Sequence, residues 1–416
     1  AHFCLLTLFA DFFDTNNLAA NPGIPYVTEP ETVVIKHYDR ETAAQTLEHV
    51  LKDLEEGMQL VGGSSDYDQP KFHFTRDAAA ALGARIALFS RNYNDVIRYA
   101  NMLLPTPTQH FALSYTDDTP VLNADGSPAQ GVDPNDAADQ FMRSNLHDWR
   151  TYIKSGNPDQ MGTDFTSASA NANLLLTECV TLAYREMVGT AYVRHAMERT
   201  AMVTLLTENV TGDPWIFQNV AYQWNGGRTY WLPKFYEDFK IDNPVAQTGV
   251  PYSKCALLRL EEVLLARAEA YAMLGNYDGA LDDLNMFAAC RIDDYAYGPN
   301  TLYKDKLTDY YTAQLNAPDH FINSAYNAGR FKAGDEGNVQ KALILTVLDF
   351  RRIEFLYEGI RYWDVLRWNI PVTHTTIDGA TSTLTPDDDR RILQIPQIAT
   401  ASGIQLNDMV NIPYPW

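Results

Sequence analysis

The sequence predicts a mostly α-helical fold in which helix hairpins form the scaffold and long irregular segments are inserted between them. Four blocks repeat apolar residues every three or four positions, which is the spacing of a helix with one buried face. These blocks lie at residues 42–60, 75–104, 257–289 and 341–368. The segments between them show little periodicity and are rich in turn-forming or aromatic residues, which predicts loops. These segments lie at residues 105–170, 209–251 and 292–337.

The beginning of the chain predicts a core helix. Its apolar residues fall at helical spacing, at Phe3, Leu6, Phe9 and Phe13. The segment has no Met, no basic stretch and no small-residue cleavage site, so it is not a signal peptide. We therefore expect this sequence to be the remainder of a longer protein. The first block then carries an apolar stripe opposite its acidic residues, at Ala43, Leu47, Val50, Leu51, Leu54 and Met58.

The second and third blocks resemble each other, and each predicts two helices joined by a short turn. The turns are expected at residues 91–94 and 274–277. In the third block, small residues let two antiparallel helices approach closely while aromatic residues fill the gap, as in tetratricopeptide repeats. These residues are Ala268, Tyr271, Gly275, Tyr277, Ala280 and Leu284. The two pairs are not in tandem, so we predict tetratricopeptide-like hairpins with insertions and not a plain solenoid.

The fourth block is rich in charge. Its basic and acidic residues lie three or four apart along one helical face, so they can form a ladder of ion pairs. They are Arg351, Glu354, Glu358 and Arg361, followed by Asp364 and Arg367. Gly359 allows close packing or ends the helix. Glu354 and Glu358 could instead be catalytic, but each has a base within reach, which favours a structural role.

Composition excludes several classes of protein. The formal net charge is −21, which argues against nucleic-acid binding and against docking on an anionic membrane, because both need clustered Lys and Arg. No stretch of about 18 apolar residues is free of charge, so no membrane span is predicted. The motifs of serine hydrolases, zinc peptidases, P-loop proteins and dinucleotide-binding proteins are absent from the sequence. We expect no catalytic residues, no metal and no cofactor.

The cysteines are far apart and fit neither a zinc nor a redox spacing. They are Cys4, Cys179, Cys255 and Cys290. Buried free thiols are the simplest expectation, because Cys is readily buried. The cysteines leave the redox compartment open.

The charged C-terminal block resembles the closing signature of the SusD/RagB family, roughly E-R-x-x-E-[LF]-x-x-E-G-x-R-x-x-D-[LV]-x-R-[WF]. The matching residues are Arg351, Glu354, Phe355, Glu358, Gly359, Arg361, Asp364, Arg367 and Trp368. Phe350 stands where the family usually has Glu. Residues 75–85, 258–270 and 392–414 are similar to other family segments, and they occur in the family's order.

The resemblance implies a non-enzymatic lipoprotein on the extracellular face of the outer membrane. Such a protein caps a SusC-type TonB-dependent barrel and hands it an oligosaccharide or, in the RagB branch, a peptide. By comparison with the family, we expect the lipidated N-terminal Cys to lie upstream of Ala1, so the anchor is absent from this sequence. Residues 1–104 and 257–416 would form the scaffold around an aromatic-rich, ligand-facing insertion at residues 105–256, in one structural unit.

Aromatic residues of the insertion are the predicted ligand contacts, because aromatic faces stack on sugar C–H surfaces or on peptide side chains. The set is Trp215, Tyr222, Trp224, Tyr230 and Trp231, with Trp149 and Tyr152 behind it. Their irregular spacing among glycines suits a loop that exposes several rings at once. The alternative for each ring is packing under a long loop, which is the commoner role of aromatic residues.

Two other functions are open. A glycoside hydrolase on a helical scaffold needs only a pair of carboxylates, which have no sequence signature. A tetratricopeptide adaptor for peptide termini would need tandem repeats and a basic groove, and the sequence shows neither.

Overall fold

Helices dominate the computed structural model, which describes residues 1–14, 16–33, 35–106, 134–179, 197–223, 229–376 and 378–408. They are α1 (His2–Phe9), α2 (Ala43–Leu60), α3 (Arg76–Phe89), α4 (Tyr93–Ala100), α5 (Pro134–Asn145), α6 (Trp149–Tyr152), α7 (Pro158–Phe165), α8 (Arg199–Thr207), α9 (Leu260–Leu274), α10 (Tyr277–Arg291), α11 (Lys304–Tyr310), α12 (Thr312–Asn316), α13 (Gly334–Glu354) and α14 (Ile360–Arg367). Within the described ranges, none of the helices is both long and apolar enough to cross a bilayer.

The strands of the described residues form three small antiparallel sheets. They are β1 (Asn173–Cys179), β2 (Met197–Glu198), β3 (Tyr222–Gln223), β4 (Thr229–Trp231), β5 (Glu237–Asn243), β6 (Thr248–Arg259), β7 (Val372–Thr375) and β8 (Thr381–Leu384). The strand orders are β1-β6-β5, β2-β4-β3 and β7-β8.

The two predicted helix hairpins are confirmed as α3–α4 and α9–α10, and both turns are built in the same way. After α9, Gly275 adopts the left-handed backbone (φ 84°), and Asn276 caps α10 by accepting a hydrogen bond from the Gly279 N–H at 3.1 Å. After α3, Arg91 takes the left-handed position (φ 60°) and Asn92 caps α4. Because an Asn side chain satisfies backbone donors that the helix leaves free, each second helix begins where the sequence predicts.

The core is centred on α9, which is buried on nearly every side. This helix packs against α3, α4, α10 and α13, and β6 leads directly into it. Leu264, Ala268 and Ala272 are fully buried at these contacts. The small residues permit the close approach that the repeat pattern predicts.

The charged C-terminal block forms two helices, so the predicted single ladder is wrong. Helix α13 ends at Glu354, and the following turn contains two residues with left-handed backbone, Tyr357 (φ 69°) and Gly359 (φ 77°). The change of direction separates Glu354 from Arg361, which lies in α14. Charged residues on either side of the turn therefore find partners elsewhere in the fold.

The segments predicted as loops contain short helices. The described part of residues 105–170 holds α5, α6 and α7, and residues 292–337 hold α11 and α12. Asp148 caps α6, and Asn157 caps α7 ahead of Pro158. Asp and Asn are common in loops and are also preferred at helix N-caps. Here Asp148 and Asn157 are N-caps, which explains why the sequence pattern predicted loops.

A disulfide links Cys179 in β1 to Cys255 in β6, with Cα atoms 6.6 Å apart. The expectation of buried free thiols is therefore wrong for this pair. Strand pairing brings the two residues together across 76 positions of sequence, which no local spacing could reveal. Of the unpaired cysteines, Cys290 is buried as expected and Cys4 is exposed.

Candidate functional site

A buried charge cluster gathers the acidic residues that a catalytic hypothesis would single out. It consists of His147, Lys234, Arg259, Glu261, Arg291, Glu354 and Glu358. Glu354 receives the Arg291 Nε–H at 2.8 Å and the Arg259 Nη1–H at 3.1 Å. Glu358 pairs with Lys234 at 2.6 Å and with Arg259 at 2.9 Å. The partners come from β6, α10 and the segment after β4, and not from Arg351 or Arg361 as predicted.

The electrostatics of the cluster keep Glu354 and Glu261 ionised. Burial would raise the pKa of Glu354, but Arg291 and Arg259 hold that pKa below its usual value. Burial opposes ionisation of Glu261 too, yet His147 and Arg259 lower its pKa well below the usual value. A general acid needs a pKa near the working pH, and an occupied, strongly ionised carboxylate does not have one. This argument supports a structural role for Glu354. The ion pairs of Glu358 with Lys234 and Arg259 support the same role for that residue.

A second buried network ties α14 to α9 and α13. Asp364 accepts hydrogen bonds from Arg351 at 3.0 Å and from Arg367 at 2.8 Å, which confirms the predicted pairing of Asp364 with Arg367. Arg367 also donates to both carboxylate oxygens of Glu269, with the Nη2–Oε2 distance at 2.7 Å. The family-like signature thus joins the C-terminal helices to the central helix.

Three of the predicted ligand-contact residues lie in the core. Trp149, Trp215 and Trp231 are 0%, 0% and 3% exposed. The Trp215 ring packs against Phe350 and Phe287, with centroids 5.4 and 5.7 Å apart. The expectation that Trp215 and Trp231 are exposed in a loop is wrong, and both rings, together with Trp149, are part of the core.

The remaining predicted contacts are distributed differently. Tyr152 and Tyr230 are half-buried, and Tyr152 lies 5.5 Å from Trp149 between ring centroids. Trp224 lies outside the described residues, as does the side chain of Tyr222. The structure therefore brings Tyr152 together with Trp149 and pairs the backbone of Tyr222 with Trp231.

The irregular spacing of the aromatic residues has a structural reason. Trp215 directly precedes a short 3-10 turn that contains Phe217, and Trp231 ends the short strand β4. Because this segment consists of several short elements in succession, the spacing of its buried rings changes from one element to the next. An irregular spacing therefore does not distinguish an exposed loop from a core built of small pieces.

A surface groove, here called the arginine groove, lies between α11–α13 and the β7–β8 hairpin. It consists of two neighbouring cavities of about 620 and 650 Å³. Both cavities are lined by Arg352, Arg361, Ile370 and Pro371. Cavities of this size fall in the range of small-molecule binding sites.

Polar and aromatic groups are available in the first cavity of this groove. The Tyr310 side chain is 45% exposed, and the buried Gln314 Oε1 atom has no hydrogen-bond donor in the described part of the chain. Asp349 accepts the Tyr311 hydroxyl at 2.7 Å. The sequence prediction missed this groove, and the adjacent Tyr310 and Tyr311 were its only local signal.

A metal centre is not formed by the part of the chain that the structure describes. No group of three or more His, Cys, Asp or Glu side chains is suitably arranged there.

The comparisons with known proteins identify the family. The family described as "Starch-binding associating with outer membrane" matches residues 1–88, and the SusD family matches residues 208–391. No curated protein matches the chain. This chain belongs to the SusD/RagB family.

Solved structures share the fold at low sequence identity. A SusD superfamily protein from Bacteroides thetaiotaomicron is 18% identical, with a TM-score of 0.59 over 97% of this chain and 74% of that one. A putative sugar binding protein from Bacteroides vulgatus is 17% identical, with a TM-score of 0.56 over 98% and 74% of the two chains. A SusD-like carbohydrate binding protein from Bacteroides vulgatus is 14% identical, with a TM-score of 0.56 over 96% and 73%. The predicted mostly helical, SusD-like fold is confirmed.

Proposed function

We propose that this protein binds an oligomeric nutrient at the cell surface and delivers it to a SusC-type TonB-dependent transporter without cleaving it. The observation that carries the proposal is the family match at both ends of the chain, at residues 1–88 and 208–391. A glycan is the favoured ligand, because one matching family is described as starch-binding and two structures of the same fold are named sugar or carbohydrate binding proteins. A peptide is the alternative.

Two features of the structure support a binding protein outside the cytoplasm. The Cys179–Cys255 disulfide is of the kind that persists in oxidising compartments. The acidic residues of the signature are occupied by arginine and lysine, which supports binding without hydrolysis. Lipid anchoring at the extracellular face of the outer membrane is part of the same proposal.

The proposed ligand-facing region remains the insertion at residues 105–256. Exposed contacts there would come from Tyr222, Trp224 and Tyr230, with Tyr152 nearby, while Trp149, Trp215 and Trp231 support them from the core. Each stacked ring would contribute about 0.5–1.5 kcal/mol beyond its buried area.

Calorimetric titration against a panel of soluble polysaccharides and peptides tests the binding function. We expect saturable binding to one ligand class and no release of reducing ends during incubation. A Trp224→Ala, Tyr230→Ala double variant should bind about tenfold more weakly, whereas Phe74→Ala, at an exposed aromatic residue of the scaffold outside the insertion, should bind as the wild type does. Steady release of reducing ends would instead favour a glycoside hydrolase.

Delivery is tested in cells that carry the full-length lipidated protein. We expect a TonB-dependent barrel to co-purify with it from detergent-solubilised outer membranes, and we expect uptake of the ligand to fail when the gene is deleted. Recovery as a free monomer, with uptake intact in the deletion strain, would contradict the proposal.

A further inference from the structure

One of the two cavities of the arginine groove differs in charge from the rest of the chain. The formal net charge of the protein is −21, yet among the described residues no Asp or Glu lines the cavity beside the β7–β8 hairpin. Its ionisable lining residues are Arg352, Arg361, Tyr362, His374 and Arg390. A cationic pocket on a strongly acidic protein concentrates anions locally.

Arg361 is the central cation of the groove because it lines both cavities. Its Nη1 donates to the Leu348 carbonyl oxygen at 3.2 Å, and no carboxylate of the described residues lies within ion-pairing distance. Burial lowers the pKa of Arg361 to about 10, and the distant carboxylate of Asp364 only partly offsets that effect. In contrast, Arg259 and Arg367 are buried with carboxylates in direct contact. Arg361 therefore has capacity for a further anionic partner.

Arg352 adds a second, more accessible cation. Its nearest acidic partner is Asp349, at 3.7 Å, and its side chain is 45% exposed. Such an exposed and distant pair is weak, so the guanidinium can exchange it for a ligand. Arg390 is already held by Asp388, which leaves Arg352 and Arg361 as the available pair.

The other end of the groove suits a sugar. The Gln314 Oε1 atom is buried without a donor in the described part of the chain, and a hydroxyl group in the cavity would supply one. The exposed ring of Tyr310 offers an apolar face for a pyranose. Glu208 and Asp319 at this end can accept hydrogen bonds from sugar hydroxyls but would repel an anion. Asp349 is the residue that the anion would replace as the partner of Arg352.

We propose that the arginine groove binds an anionic oligosaccharide, with a carboxylate or sulfate at Arg361 and Arg352 and a neighbouring sugar between Tyr310 and Gln314. Guanidinium groups bind both oxyanions through paired N–H donors. This inference rests on the proposed function and narrows its ligand class. It also gives the protein a second ligand-contacting surface, apart from the insertion at residues 105–256.

Titration calorimetry with three oligosaccharide types of equal length tests the inference. The probes are an oligogalacturonate, which carries carboxylates only, a carrageenan oligosaccharide, which carries sulfates only, and a neutral malto-oligosaccharide. We expect at least one anionic probe to bind more than tenfold more tightly than the neutral one, with affinity falling as salt rises. The preferred anionic probe distinguishes carboxylate from sulfate recognition. Tighter binding of the neutral probe would overturn the inference while leaving the proposed function standing.

Matched variants assign the binding to the groove. Arg352→Gln and Arg361→Gln should each weaken binding of the anionic probe about tenfold or more, because each removes a charge-assisted contact. Arg98→Gln removes an exposed arginine elsewhere and should have no such effect. If Arg361→Gln fails to fold, Arg352→Gln and Tyr310→Ala decide the question. Unchanged binding in both would overturn the inference, and failure to bind any glycan or peptide would contradict the proposed function itself.

Discussion

Glu354 shows at the scale of one residue how the fold uses its charges. The fully buried carboxylate holds Arg259 and Arg291, which come from β6 and α10. Removing one member of such a pair leaves a buried charge without a partner, and this costs more than the pair contributes to stability. The Glu354 carboxylate therefore connects α13 to β6 and α10.

The variant Glu354→Gln should lower the free energy of unfolding by about 3–5 kcal/mol, because two buried guanidinium groups lose their ionised partner. Urea denaturation followed by circular dichroism measures the change. Glu336→Gln is the matched control, since Glu336 forms an exposed pair with Lys332 and should leave the transition nearly unchanged. Equal transitions for both variants would mean that the cluster contributes little to stability.

Replacing Gly275 and Gly57 by Ala should change the stability of the protein in opposite directions. At Gly275 the left-handed backbone disfavours any Cβ, so Gly275→Ala should destabilise the protein by about 1–2 kcal/mol. Gly57 lies inside α2, and nothing lies within 4 Å of the position that an added Cβ would take, so Gly57→Ala should stabilise by about 0.5–1 kcal/mol. Thermal melts should move in opposite directions, and a common direction would refute the backbone argument.

At the scale of elements, the disulfide fixes the sheet that leads into the central helix. Cys179 and Cys255 enclose 76 positions of sequence between β1 and β6. In the chain-entropy account, opening a loop of this length costs about 4 kcal/mol of stability.

Reduction of this disulfide should therefore lower the melting temperature clearly. A Cys179→Ser, Cys255→Ser double variant should reproduce the shift without a reductant, and the wild type in reductant should match it. Cys4→Ser is the control, because Cys4 is an exposed free thiol. Melting curves that do not respond to reductant would show that the disulfide contributes nothing to stability.

The helix hairpins could be predicted from sequence because each signal is local. Helical periodicity, Gly275 and Asn276 together specify where α9 ends and α10 begins. The break between α13 and α14 was harder to predict, since Tyr357 holds a left-handed backbone that its residue type does not favour. Its hydroxyl donates to the Tyr230 carbonyl oxygen, so a distant contact supports the turn.

The candidate site was less accessible to prediction because it is assembled from distant segments. The residues next to Arg361 in the sequence do not show whether its side chain forms an ion pair along one helix or lines a groove. Only the turn at Gly359 separates these outcomes, and it removes Arg361 from Glu358. The burial of Trp215 likewise depends on Phe287 and Phe350, which lie far along the chain.

At the scale of the whole molecule, the buried acids make stability depend on pH. The pKa values of Glu261, Glu262, Glu354 and Asp364 are all below their usual range, because burial is outweighed by basic partners. A carboxylate with a depressed folded-state pKa stabilises the fold fully above its unfolded-state pKa of about 4. That contribution is lost as pH falls through the folded-state value.

The free energy of unfolding should therefore be nearly constant from about pH 5 upward to neutrality and should fall steeply below about pH 4. Urea denaturation at a series of pH values measures this profile. In Glu354→Gln the slope below pH 4 should be shallower, because one of the linked protons is gone. An identical slope would show that other groups dominate acid unfolding.

The two walls of the arginine groove differ in local stability, and this difference determines by which route a bound ligand could leave. One wall belongs to α13, whose middle turns are buried, while the β7–β8 hairpin is exposed at every strand residue except Leu384. Amide hydrogen exchange should therefore be fast in the hairpin and limited by global unfolding in α13. A ligand could then be released by local opening of one hairpin, on a timescale far shorter than that of scaffold unfolding. A carrier that must give up its cargo would need this separation of timescales.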